Sequence, residues 1–157
     1  MGDCCCTIHR AAIDGDAEEV TRLIEEDPSI VHSFGRTALH LTSEYGHAAV
    51  AVCLLDGGDD INQQERYGSC FTPLLKACCA GDLRMVNLLL DRGADPSICS
   101  SCGRPPVFFA TVRGDVEMVR SLLRHEGARL TTIDFHPAAA GTTALGVGCS
   151  QHRTVPR

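Results

Sequence analysis

Apolar positions along this chain fall into short helical runs that come in pairs, neither long amphipathic stretches nor alternating strands. The clearest pair lies in residues 72–95, which read TPLLKACCAGDLRMVNLLLDRGAD. One run covers residues 73–80 and the next covers residues 83–90, with Gly81 between them and Gly93 closing the second. In the second run Met85, Val86, Leu88, Leu89 and Leu90 recur at helical spacing. Each run predicts a helix too short to be stable alone. Two such helices back to back make a hairpin with one apolar side uncovered, and that side needs a neighbour.

Neighbours of the same pattern lie on both sides. Residues 6–26, 37–60 and 105–128 repeat it, and a fragment restarts at Thr143. Units opening at 6, 37, 72, 105 and 143 are separated by steps of 31, 35, 33 and 38. Gly15, Gly46, Gly81 and Gly114 each fall nine residues into a unit. Apolar pairs follow each glycine by eight and nine residues: Leu23 and Ile24, Leu54 and Leu55, Leu89 and Leu90, Leu122 and Leu123. Asp16, Asp82 and Asp115 follow three of the glycines, where a carboxylate suits the start of a second helix.

These units resemble the ankyrin repeat family, whose period is about 33 residues and whose units open with T-P-L-H-x-A. That opening reads Thr72-Pro73-Leu74-Leu75-Lys76-Ala77 and Thr37-Ala38-Leu39-His40, and more loosely Cys6-Thr7-Ile8-His9 and Pro105-Pro106-Val107-Phe108. The family's G-A-D ending is intact at Gly93-Ala94-Asp95, altered at Gly58-Asp59-Asp60 and partial at Gly127-Ala128-Arg129. The resemblance implies an all-α ankyrin-repeat solenoid of stacked helix hairpins with projecting β-turn tips. Its domain would span residues 6–149, with repeats near 6–33, 34–68, 69–101 and 102–134 and a partial one at 140–152. Residues 1–5 are read as a flexible N-terminus and 153–157 as a tail. Tips are expected near 33–36, 65–71, 99–104 and 134–142. His40, and His9 at the matching place, are read as structural hydrogen-bonding residues, not metal ligands.

Composition adds bounds. With 44% hydrophobic and 4% aromatic residues, the chain suits a thin core built of Ala, Leu and Val, which stacked units supply. Formal net charge is −6, and no basic run of five or more occurs, which argues against binding nucleic acid. No apolar run approaches membrane-spanning length and the start resembles no signal peptide, so the expected location is cytoplasmic, or nuclear. Ten cysteines in such a location are expected to stay reduced, with Cys53 and Cys78 as small buried residues.

Three chemical readings were weighed. Gly2 followed by Cys4, Cys5 and Cys6 approaches a dual-acylation signal, but Cys6 stands where Ser or Thr is required. Without such acylation no membrane contact is expected. Cys99 and Cys102 form a C-x-x-C pair, with Cys70 as the one further ligand in reach; zinc or redox chemistry is the lesser alternative. No catalytic motif has credible spacing, so a non-catalytic chain without cofactor or bound metal is expected.

What remains is a binding module whose partner is another protein. In the family the concave side is made of first helices and tips, so the ends of the first helices would face the groove. The candidates there are Ile13, Asp14, Glu44, Tyr45, Val112 and Arg113, with Cys79 and Ala80 between. Leu41, Lys76 and Phe109 would line the edge, and Tyr67 sits near a projecting tip. Tyr45 and Phe109 are the expected anchors. A self-associating or membrane-tethered scaffold is the alternative. The chain is expected to be mostly monomeric, with association through its C-terminal face. There Gly146 and Gly148 weaken the fifth unit, which either caps the fourth or continues in a longer product.

Overall fold

A computed structural model describes residues 4–32, 36–66 and 68–125. Eight α-helices form among them: α1 Cys4–Asp14, α2 Ala17–Glu26, α3 Ala38–Tyr45, α4 Ala48–Asp56, α5 Pro73–Ala80, α6 Leu83–Asp91, α7 Pro106–Arg113 and α8 Val116–His125. They pair as four hairpins, α1 with α2 through α7 with α8. First helices pack in a row, α1 on α3, α3 on α5, α5 on α7, and second helices form a parallel row, α2, α4, α6, α8. No strand occurs among the described residues. The expected solenoid is the observed fold.

The glycine frame shows why each hairpin folds where it does. Gly46 closes α3 with φ +81° and its N–H donates to the Thr42 carbonyl. Gly81 closes α5 with φ +82° and donates to Ala77. Side chains with a Cβ avoid this left-handed region, so glycine sets the helix end. Gly15 and Gly114 repeat the conformation at +79° and +74°. The next residue then begins the second helix. Asp16 accepts from the Glu19 N–H, Asp82 from Arg84 and Met85, and Asp115 from Met118. Each such cap is worth about 1 kcal/mol.

Counted from the glycines, buried positions recur. Four residues before them stand Ala11, Thr42, Ala77 and Ala110, all buried, which lets the helix rows approach closely. Eight residues after them Leu54, Leu89 and Leu122 are fully buried. Each contributes roughly 2 kcal/mol by leaving water. Thr42 and Ser43 are buried too, and both hydroxyls donate to the Leu39 carbonyl, so neither polar group is stranded.

Several expectations need adjustment. α1 begins at Cys4, two residues before the anticipated opening. Cys78 is buried, but Cys53 is only half-buried and accepts a contact from the Thr21 hydroxyl at 3.4 Å. The first hairpin lacks G-A-D, yet its ending copies another. Asp27 Oδ1 takes the Ser29 N–H at 3.0 Å and hydroxyl at 2.6 Å. Asp95 takes the Ser97 N–H at 2.8 Å and hydroxyl at 2.6 Å. Asp-Pro-Ser is the shared bend, and after α2 it continues into a 3-10 turn, Pro28–His32. Tips form at 65–71 and 99–104. Glu65 N–H donates to Phe71, Ser100 to Arg104, and Gly103 back to Ser100. Ser101 N–H reaches across to Ser69, joining the two tips at 2.9 Å. The tips expected at 33–36 and 134–142 fall wholly or mostly outside the described residues, as do the fifth unit, Gly2 and Tyr67.

Candidate functional site

His40 ties a first helix to the next tip. Its Nδ1 lies 3.2 Å from the Thr37 N–H and 2.9 Å from the Thr37 hydroxyl, and its Nε2 lies 2.9 Å from the Phe71 carbonyl. Burial holds its pKa below the ordinary value, so the neutral ring is the resident form. His9 occupies the same place in the first hairpin, with its pKa also lowered by burial, but its Nε2 completes no hydrogen bond among the described residues.

The tip anchored at Phe71 leans on the row of first helices. Its ring meets Phe109 edge-on at 5.4 Å, and Phe109 meets Phe108 at 5.5 Å. Lys76 lies over the Phe71 ring at 5.4 Å. The lysine also pairs with Glu65 at 3.0 Å and Glu44 at 3.6 Å, while Arg36 pairs with Glu44 and, at 3.4 Å, with Glu65. Two positive and two negative groups from two tips and two helices thus neutralise one another. The Glu65 side chain is only 10% exposed and that of Lys76 only 16%, so this network is more than a surface pair.

These contacts divide the candidate residues. Leu41 is buried, Lys76 is committed to the network, and Phe109 is half-buried against two rings. None of the three is a free contact surface: Leu41 lies in the core, and the tip engages Lys76 and Phe109. By contrast Ile13, Tyr45 and Val112 are exposed, at 40%, 54% and 71%, at the ends of α1, α3 and α7. Asp14, Glu44 and Arg113 beside them are exposed as well. Arg113 also reaches back one hairpin: its Nη1 donates to the Cys79 carbonyl at 3.0 Å. His47 makes the corresponding link, Nε2 to the Ile13 carbonyl at 2.8 Å, and its ring stacks near Tyr45. Neither link was anticipated, although His47 stands where the other hairpins have aspartate. Arg104, over the Phe108 ring at 4.8 Å, was also missed.

Among the described residues the cysteines assemble no centre. Cys70, Cys99 and Cys102 lie on adjacent tips, where Gln64 Nε2 donates to the Cys70 and Cys99 carbonyls, each at 3.1 Å. Among the described residues no three His, Cys, Asp or Glu are placed to hold a metal ion. Burial pushes the Cys78 thiol up to about 12 and raises Cys79 as well, which keeps both as thiols. No helix among the described residues is long and apolar enough to cross a membrane.

A family model described as "Ankyrin repeats (3 copies)" matches residues 8–99 and 74–155. The Putative ankyrin repeat protein YahD of Escherichia coli is 30% identical over 117 residues, 73% of this chain and 57% of that one. A probable E3 ubiquitin-protein ligase of Oryza sativa, XBOS33, is 34% identical over 149 residues, 88% of this chain and 26% of its own. A Caenorhabditis elegans homolog of Transient receptor potential cation channel subfamily A member 1 is 32% identical over 154 residues, 96% of this chain and 12% of its own. The chain therefore spans between 12% and 57% of the length of these curated relatives.

Proposed function

Since the chain belongs to the ankyrin-repeat family, we propose that its hairpins act as a non-catalytic protein-interaction module, an adaptor that takes a segment of another protein along the row of first helices. One observation carries this reading. Ile13, Tyr45 and Val112 are large apolar residues exposed at 40%, 54% and 71% at the same end of three of the four first helices, α1, α3 and α7, while Ala12, Ser43 and Ala110 one or two residues earlier are buried. Such a line of apolar side chains beside mixed charges suits a polypeptide partner better than a rigid small ligand. The ten cysteines, with no assembled metal set among the described residues, fit a reducing cytoplasm or nucleus.

Photo-crosslinking tests the surface. A crosslinking amino acid placed at position 45 or 112 should yield adducts with other proteins. The same group at Arg84, exposed on the second-helix row, should yield few. Equal yields at all three positions would refute the proposed surface. A second reading rests on Leu123, which is 47% exposed where its counterpart Leu90 is 4% exposed. That face supports association with a second copy, and sedimentation over a range of concentrations tests it: a single monomeric species throughout would refute it.

A further inference from the structure

Charge along the first-helix row is sorted by end. The chain carries a formal net charge of −6, yet residues 65–80 and 99–113, which supply a tip and a first helix each, contain Arg66, Lys76, Arg104 and Arg113 against the single carboxylate of Glu65, which pairs with Arg36 and Lys76. Of the carboxylates of these two hairpins, Asp91 and Glu117 lie on second helices, while Asp82 and Asp115 cap them in the turns, Asp82 facing Gly46 at the end of α3. Lys76 is neutralised by Glu65 and Glu44. Neither Arg104 nor Arg113 has an ion pair with any described carboxylate. Their hydrogen-bonding and ring partners are the Cys79 carbonyl and the Phe108 ring, which leave the positive charges uncompensated. Beside them Val112 is 71% exposed, and Tyr45 continues the apolar line toward α3.

Resting on the reading of this row as a protein-binding surface, we propose that its stretch from Tyr45 at the end of α3 to α7 and its tip receives an extended protein segment in which acidic side chains alternate with apolar ones. The segment's carboxylates lie at Arg104 and Arg113, and its apolar side chains lie on Val112 and Tyr45. Charge complementarity picks the sign of the partner. Two arginines without a basic run are too few to hold a nucleic-acid backbone, which needs many neutralised phosphates. The exposed valine and tyrosine call for apolar side chains, which a polypeptide offers at alternate positions along an extended strand.

Panning the full chain against a random peptide library, followed by anisotropy with fluorescein-labelled copies of the enriched peptides, tests this. Enriched peptides should carry Asp or Glu next to Leu, Ile or Phe. Arg104→Glu and Arg113→Glu should each weaken them about tenfold at low salt, because reversal removes an attraction and adds a repulsion. That difference should shrink at high salt, and Arg104→Lys should bind like the parent. Circular dichroism checks that each variant is folded; the Arg104 variants decide the matter if Arg113→Glu is not. Peptides without acidic bias, or with unchanged affinity for the reversed variants, overturn the charge inference. The surface itself still stands if Tyr45→Ala weakens them. Affinity unaffected by both Tyr45→Ala and Val112→Ala overturns the surface and the inference together, and so does recovery of no binding peptide. Displacement of the peptides by a single-stranded oligonucleotide would replace the protein segment with a nucleic acid.

Discussion

Asp59 stands where the next hairpin has Ala94, and replacing it with alanine should stabilise the protein at neutral pH. Its side chain is buried and its Oδ2 has no hydrogen-bond partner among the described residues. Burial pushes its pKa from an ordinary 3.8 up to about 7, and the charge of Asp60 adds to the rise. Polar contacts with the Asp60 and Leu39 backbone and with the Thr37 side chain oppose it without winning. The folded protein therefore holds this proton more tightly than the unfolded chain does. The stability linked to it is fully present below about pH 4 and is lost as pH rises to about 7. At about 1.4 kcal/mol per unit over some three units, the loss is at most about 4 kcal/mol. Asp59→Ala removes that penalty but forfeits the bonds to Leu39 and Thr37, worth about 1–2 kcal/mol. The net expectation is a variant about 1–3 kcal/mol more stable near pH 8 and no more stable than the parent near pH 4. Asp59→Asn, which keeps hydrogen-bonding capacity without charge, should recover much of the gain. Urea unfolding followed by circular dichroism across this range gives the difference curve. His9 and His40 have pKa values lowered by burial and act in the opposite sense, but they are present in both proteins and largely cancel. A difference between parent and variant that stays flat from about pH 4 to pH 8 would refute the reasoning.

Two further changes test the frame. His40→Ala should cost about 1–3 kcal/mol, since the Thr37 hydroxyl and the Phe71 carbonyl lose a buried partner; an unchanged melting temperature would contradict that role. Gly81→Ala should cost more than Gly114→Ala. Both force a Cβ into left-handed backbone at about 1–2 kcal/mol, but at Gly81 the new Cβ also strikes the Arg113 guanidinium, while at Gly114 it meets nothing among the described residues. Thermal unfolding of the two variants decides it, and a larger loss at Gly114 would show that the Arg113 crossing does not matter.

The fold could be read from the chain because its punctuation is local. A glycine that closes a helix in left-handed conformation and an aspartate that opens the next are short-range chemistry, and both repeat visibly. That Ile13, Tyr45 and Val112 stand exposed at the ends of first helices was legible for the same reason, since each lies one or two residues before such a glycine. The settings of Leu41, Lys76 and Phe109 were not. Leu41 lies in the core. The surroundings of Lys76 and Phe109 depend on where the 65–71 tip lies, and Glu65 and Phe71 reach them from other units. His47 was missed because a lost aspartate cap conceals a gained bond to the preceding hairpin. The Asp-Pro-Ser bend at Asp27 had a local signal, repeated at Asp95, that comparison of unit endings would have found.

The carbonyl links made by His47 and Arg113 bear on how this array can be taken apart. His47 fastens the second hairpin to the first, and Arg113 fastens the fourth to the third. The boundary between the second and third is held differently, by the Arg36, Glu44, Glu65 and Lys76 charges and by His40 on Phe71. The hairpins are therefore not interchangeable bricks. Exchanging the second with the third would strand His47 and Glu65 opposite the wrong neighbours. A recombinant chain that moves hairpins in the pairs one-two and three-four keeps both carbonyl links and gives up the charged joint together with the His40–Phe71 bond and the Asp56–Arg92 pair. Rebuilding that joint means carrying its partly buried Glu65 and Lys76 together with a carbonyl for His40, so a splice there for lengthening or trading parts of the array moves these residues as a set.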